Sequence, residues 1–80
     1  MLEEALEHLV KGIVEHPDDV AVSAKPLRRG TVLKVRVHPD DLGKVIGRGG
    51  RTATALRSVV GALAKDRHVR VDFLDVDEAR

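Results

Sequence analysis

The chain has 80 residues, of which 42% are hydrophobic and 34% charged, and it contains no cysteine. This is one small globular domain, with a single core that buries only about 60% of the surface its unfolded chain exposes. A disulfide framework, a thiolate metal site and a thiol nucleophile are excluded, no apolar run nears the ~18 residues of a membrane span, and the acidic start does not read as a signal peptide, so a cytoplasmic location is expected.

The net charge of +1 conceals three blocks. Residues 1–24 set one lysine against six acids, a net −5; residues 25–70 set twelve Lys and Arg against three Asp, a net +9; residues 71–80 set one arginine against four acids, a net −3. A basic middle of this strength fits an anionic partner met by one face. It fits equally a solvated face whose cations pair with the acidic flanks.

In chain order, Leu2, Ala5, Leu6, Leu9, Val10, Ile13 and Val14 recur with a 3.6-residue period, which predicts an amphipathic helix ended by Pro17. Residues 20–24 are small or β-branched and predict a short strand, followed by a loop over 25–30 that holds Pro26 and Gly30. Residues 31–38 alternate, with Leu33, Val35 and Val37 on one face and Val32, Lys34, Arg36 and His38 on the other, which predicts a half-buried strand. Pro39-Asp40-Asp41 opens a short helix through Leu42, Val45 and Ile46. A second helix begins near Arg51, with Ala53, Leu56, Val59, Val60, Leu63 and Ala64 apolar. Val69, Val71 and Phe73 alternate as a third strand, and 75–80 read as a polar, frayed tail. The expected architecture is α+β in αββααβ order: a three-stranded sheet with three helices packed on one face, burying every apolar stripe, with the core over residues 2–74.

Three glycines in four positions, Gly47-Arg48-Gly49-Gly50, separate the two central helices. Glycines there permit a tight turn with free dihedrals and remove the Cβ atoms that keep another backbone at a distance. The turn ends at a helix N-terminus, where free N–H groups and the dipole favour an anion, and Lys44, Arg48 and Arg51 surround the same spot. That construction suits a phosphate. No Gly-Lys-Ser/Thr follows, so it is not a P-loop; a helix rather than a strand precedes it, so it is not a dinucleotide fingerprint. A plain helix–glycine–helix corner with incidental arginines stays open on spacing alone.

Val45-Ile46-Gly47-Arg48-Gly49-Gly50 followed by a helix resembles the VIGxxG signature of KH domains, and the αββααβ order resembles their type II arrangement. Asp41-Leu42-Gly43-Lys44 before the loop, and Arg51-Thr52-Ala53 with Ala55-Leu56-Arg57 after it, extend the likeness over nearly the whole chain, toward the small bacterial single-KH RNA-binding proteins. The resemblance implies a mechanism in which residues 47–50 meet the sugar–phosphate backbone while about four nucleotides lie in a narrow groove. Carried over, Gly47, Arg48, Gly49 and Gly50 are the gripping loop, and Lys44, Val45, Ile46, Arg51 and Thr52 line or flank the groove. The third strand near His68 and Arg70 forms the opposite wall, and the loop over 25–30, with Arg28 and Arg29, closes one end. The implied ligand is single-stranded RNA or single-stranded DNA, and relatives form homodimers or pair with a larger Jag-type KH protein.

The composition bears on this separately. Phe73 is the sole aromatic residue, and its strand parity places it in the core, which disfavours binders built on aromatic stacking platforms. His8, His16, His38 and His68 read as exposed or capping residues rather than a metal site, Asp40 and Asp41 as helix N-terminal acids rather than an acid/base pair, and Ser23 and Ser58 lack a local base. No enzyme, cofactor or metal is expected. The competing class is a protein-interaction or dimerisation module, in which an apolar excess at Leu56, Val59, Val60 and Leu63 drives association and RNA contact is incidental.

Overall fold

A computed structural model describes residues 2–65 and 67–77. Helix α1 (Leu2–Lys11) leads through a 3₁₀ turn (Pro17–Asp19) into strands β1 (Ala21–Leu27) and β2 (Gly30–Val37); α2 (Pro39–Ile46), a second 3₁₀ turn (Arg48–Gly50) and α3 (Arg51–Ala64) precede β3 (Val69–Asp75). The sheet order is β1-β2-β3, with β1 antiparallel and β3 parallel to the central strand. A parallel pair needs a crossover, and the α2–turn–α3 unit supplies it. The α+β class, the αββααβ order and the three-helix, three-strand content match the type II KH expectation.

The alternation in β2 governs the core. Leu33, Val35 and Val37 point under the helices and meet Leu6 and Val10 of α1, Val45 of α2, Leu56 and Val60 of α3, and Val71 of β3, with Phe73 partly buried against them. Fully burying each aliphatic side chain contributes about 1.5–3 kcal/mol.

Three boundaries differ from expectation. Helix α1 stops at Lys11 rather than running to Pro17, because Gly12 breaks it: Ile13 N–H already bonds Val10 C=O at 3.0 Å in a tightened turn. Strand β1 extends to Leu27, through Pro26, so the loop shrinks to Arg28 and Arg29; an edge strand tolerates a proline whose N–H is not needed in the ladder. Asp75 belongs to β3, Val76 N–H still bonds Val37 C=O at 2.9 Å and Asp77 N–H bonds Asp75 Oδ1 at 3.0 Å; the rest of the expected frayed tail, residues 78–80, lies outside the described residues. Burial of the apolar stripes is also incomplete. Leu56 and Val60 enter the core, whereas Val59 and Leu63 on the same helix are 42% and 50% exposed, because one small sheet cannot cover an apolar arc that wide.

Candidate functional site

The glycine turn sits where α2 ends. Gly47 is its C-cap (φ 78°, ψ 167°), and its N–H bonds Gly43 C=O at 2.9 Å. Gly49 (φ 64°) and Gly50 (φ 76°) follow in left-handed conformations, which L-residues with a Cβ adopt at a cost. Gly47 also permits close approach: a Cβ there would overlap Thr52 Oγ1 and lie 2.8 Å from Thr52 Cβ and N. The turn delivers the chain to α3, whose N-cap is Gly50 and whose first turn no side chain caps among the described residues. Arg48 and Arg51 are exposed beside it and pair with no carboxylate among the described residues. The arrangement sets backbone N–H groups, a helix dipole and two exposed guanidinium groups at one end of α3, a combination that favours an anion.

The remaining candidates fall in three places. Lys44 reaches Glu15 Oε1 at 2.7 Å, and this hydrogen bond and charge hold the Glu15 carboxyl below its ordinary range. Both partners are well exposed, so the pair leaves Lys44 available to another anion. Ile46 and Thr52 are half-buried on the flanks of the turn. Val45 corrects the expectation of an aliphatic groove wall: it is fully buried in the core and supports the turn from beneath. Arg28 and Arg29 form the exposed hairpin tip. Exposed His68 lies between α3 and β3, with its carbonyl accepting from Thr31 N–H at 2.9 Å. Arg70 alternates with the core residue Val71, so it projects from the sheet face opposite the helices, where it bonds Asp72 Oδ1 at 3.2 Å. It does not share a face with the turn.

Sequence reasoning missed the role of Asp41. Its side chain is 1% exposed and accepts from Glu15 N–H (3.2 Å), His16 N–H (2.9 Å) and His16 Nδ1 (2.9 Å), tying the α1–β1 connection to α2. The available signal was helical spacing: Asp41 lies four residues before the core residue Val45, on the buried face. Burial alone would raise its pKa, but those three hydrogen bonds outweigh burial and hold it below the ordinary carboxylate range. A folded-state pKa below the unfolded one gives stability that is complete above the unfolded value, near pH 4, and is lost as pH falls through the folded value. Thermal melts between pH 2 and 7 should show this acid limb, and Asp41→Asn should flatten it while lowering the midpoint at neutral pH; parallel acid limbs would remove Asp41 as its source.

Beside Asp41, the rings of His16 and His38 stack at 3.9 Å and 12°, and their nitrogens lie within 4.8 Å of an Asp40 carboxylate oxygen. The expectation that the histidines cap holds for His38, whose Nδ1 accepts from Asp40 N–H at 3.0 Å at the start of α2. The cluster is not preorganised for a metal. Near-parallel rings keep their in-plane lone pairs from converging, and both Nδ1 atoms already serve other partners.

Comparison with known proteins agrees with the geometry. The family model described as KhpA/KhpB, KH domain, matches residues 3–75. A Streptomyces coelicolor protein named RNA-binding protein KhpA is 74% identical over 80 residues, covering all of both chains. Proteins of that name from Leifsonia xyli and Mycobacterium tuberculosis are 67% and 60% identical over 75 residues, covering 94% of this chain and 99% and 92% of theirs.

Proposed function

Because this chain belongs to the KhpA/KhpB KH-domain family, we propose that it is a non-catalytic RNA-binding protein, a single KH domain that holds a short single strand with residues 47–50 against the sugar–phosphate backbone. The observation that carries this reading is the left-handed glycine turn feeding the uncapped N-terminus of α3 between two unpaired arginines. Phosphates sit on the turn, Arg48 and Arg51; Lys44 exchanges Glu15 for a phosphate; Ile46 and Thr52 support the bases. Arg28, Arg29 and Arg70 add charge away from the turn. Phe73 is committed to the core and to the Arg57 guanidinium, 5.3 Å from its ring centroid, so bases rest on aliphatic surface rather than an aromatic platform.

The role that follows is cytoplasmic and post-transcriptional, in regulation or RNA chaperoning. No helix of the described residues is long and apolar enough to cross a membrane. The exposed α1–α3 surface, with exposed Val59 on α3 and a hollow of about 260 Å³ lined by Leu2, Ala5, Leu63 and Arg67, supports pairing with a second copy or with a Jag-type KH chain. Sedimentation of the chain alone reads the first of these directly.

Fluorescence anisotropy with short single-stranded RNA tests the main reading. Affinity should be weak, about micromolar, and should fall as salt rises, because few phosphates are held. Salt-independent or absent binding leaves the α1–α3 surface as the functional feature and RNA contact as incidental.

A further inference from the structure

The sheet has a second face that no helix covers, and strand register decides what it displays. Lys25 of β1 and Arg70 of β3 flank Val32; Lys34 of β2 lies beside Asp72; Arg36 occupies the next position along β2 on the same side. Among the described residues, four cations therefore share the face with one carboxylate. That carboxylate is engaged by Arg70 at 3.2 Å, and Lys25, Lys34 and Arg36 have no carboxylate partner among the described residues. Among the described residues, the acidic flanks engage Arg70 of this face and leave its other three cations without an acidic partner.

The composition of the face selects the class of partner. Protein interfaces concentrate aromatic and large apolar residues at a desolvated centre and deplete lysine. Here the central apolar residue, Val32, is only 6% exposed and has Lys25, Arg70 and Lys34 around it, while the larger apolar side chains of the face, Leu27 and Leu74, lie toward its ends and form no desolvated centre. The spacing suits a polyanion. Lys34 and Arg36, two residues apart on one strand, are separated by about 6.7 Å, and neighbouring strands add charges at about 4.8 Å. The spacing along β2 is comparable to the repeat of phosphates in an extended single strand, and the cross-strand spacing lets a strand run obliquely over the face. At the hairpin end the face opens into a hollow of about 200 Å³, where Arg29, His68 and Arg70 meet Leu27.

We propose that the helix-free sheet face is a second RNA contact surface, which takes the phosphate backbone of a longer strand independently of the glycine turn. The inference rests on the RNA-binding reading above and extends it to a surface that reads charge and not sequence. A strand of about four nucleotides occupies the turn alone; one of about twelve reaches the sheet.

The test compares wild type with the double variant Lys34→Gln, Arg36→Gln on each RNA separately, so that the number of binding registers cancels. With the longer RNA the variant should bind about tenfold more weakly, and its slope of log affinity against log salt should be shallower by about 1.4, near 0.7 for each lost phosphate contact. With the four-nucleotide RNA it should equal wild type, which also certifies its fold. The charge-keeping pair Lys34→Arg, Arg36→Lys should retain the longer-strand affinity. Unchanged affinity and slope for the longer RNA in the glutamine variant, or lost affinity in the charge-keeping one, overturn the proposal and leave the face to an acidic protein. Wild type that binds neither RNA overturns the RNA-binding reading and this one with it.

Discussion

Changing Arg48 and Gly49 together to aspartate should weaken short-RNA binding on the order of 100-fold while leaving the fold in place. The two positions allow that separation of effects. Arg48 is exposed and makes no ion pair among the described residues, so its loss leaves no buried group unsatisfied. A Cβ at Gly49 meets no atom within 4 Å, and aspartate is among the residues that enter the left-handed region most readily, so its φ of 64° costs about 1 kcal/mol. Against the ligand the effect is far larger. One positive charge becomes two negative ones where phosphates approach the N–H groups of α3, and like charges at that distance repel strongly enough to cancel a weak contact. The paired readouts are anisotropy with a short RNA strand and the circular dichroism melt of each protein. A melt within a few degrees of wild type and a lost anisotropy change place phosphate recognition at the turn. Equal binding by both proteins moves recognition elsewhere, with Arg28, Arg29 and the sheet face the next positions to test.

What the sequence revealed, and what it concealed, divides by the range of the interaction. Period-2 alternation across residues 31–38 identified a half-buried strand, because from Leu33 to Val37 the side chains alternate between buried aliphatic and partly exposed basic; Val32, apolar and buried on the other face, departs from the pattern. Gly47, Gly49 and Gly50 were legible as a turn because each is the residue its conformation favours. Asp41 was misread. Local rules explain an acid in the first turn of a helix, and its actual partners, Glu15 and His16, lie at least 25 residues away. Val45 was placed on the ligand side because the signature joins it to Ile46, yet adjacent helical residues point about 100° apart, and only one of the two can face the groove. Arg70 shows the converse. Its parity with Val71 was readable, but the face it occupies acquires meaning only when β1 and β2 bring Lys25, Lys34 and Arg36 beside it.

The largest stability effect should come from Gly47→Ala, at about 3–5 kcal/mol, a large part of the 5–15 kcal/mol available to a small domain. Two costs combine at this position. The backbone lies at φ 78°, where any Cβ is strained by about 1 kcal/mol. The added methyl also overlaps Thr52 Oγ1 and lies 2.8 Å from Thr52 Cβ and N, and the amide nitrogen belongs to the first turn of α3 and cannot rotate away. Relief therefore requires α3 to move from the position that buries Leu56 and Val60 in the core. Gly49→Ala isolates the first cost, since its φ of 64° is similar and its Cβ meets nothing within 4 Å; it should lose only about 1 kcal/mol. Adding Thr52→Ala to Gly47→Ala removes the hydroxyl but neither the Cβ nor the amide, so rescue should be partial. Urea unfolding of the four proteins reads these differences as shifts in midpoint. Equal losses at Gly47 and Gly49 would mean that backbone conformation alone selects glycine at the turn. Unequal losses mean that the first glycine is there so that two helices can meet at contact distance, which keeps the N-terminus of α3 aimed at the proposed phosphate site.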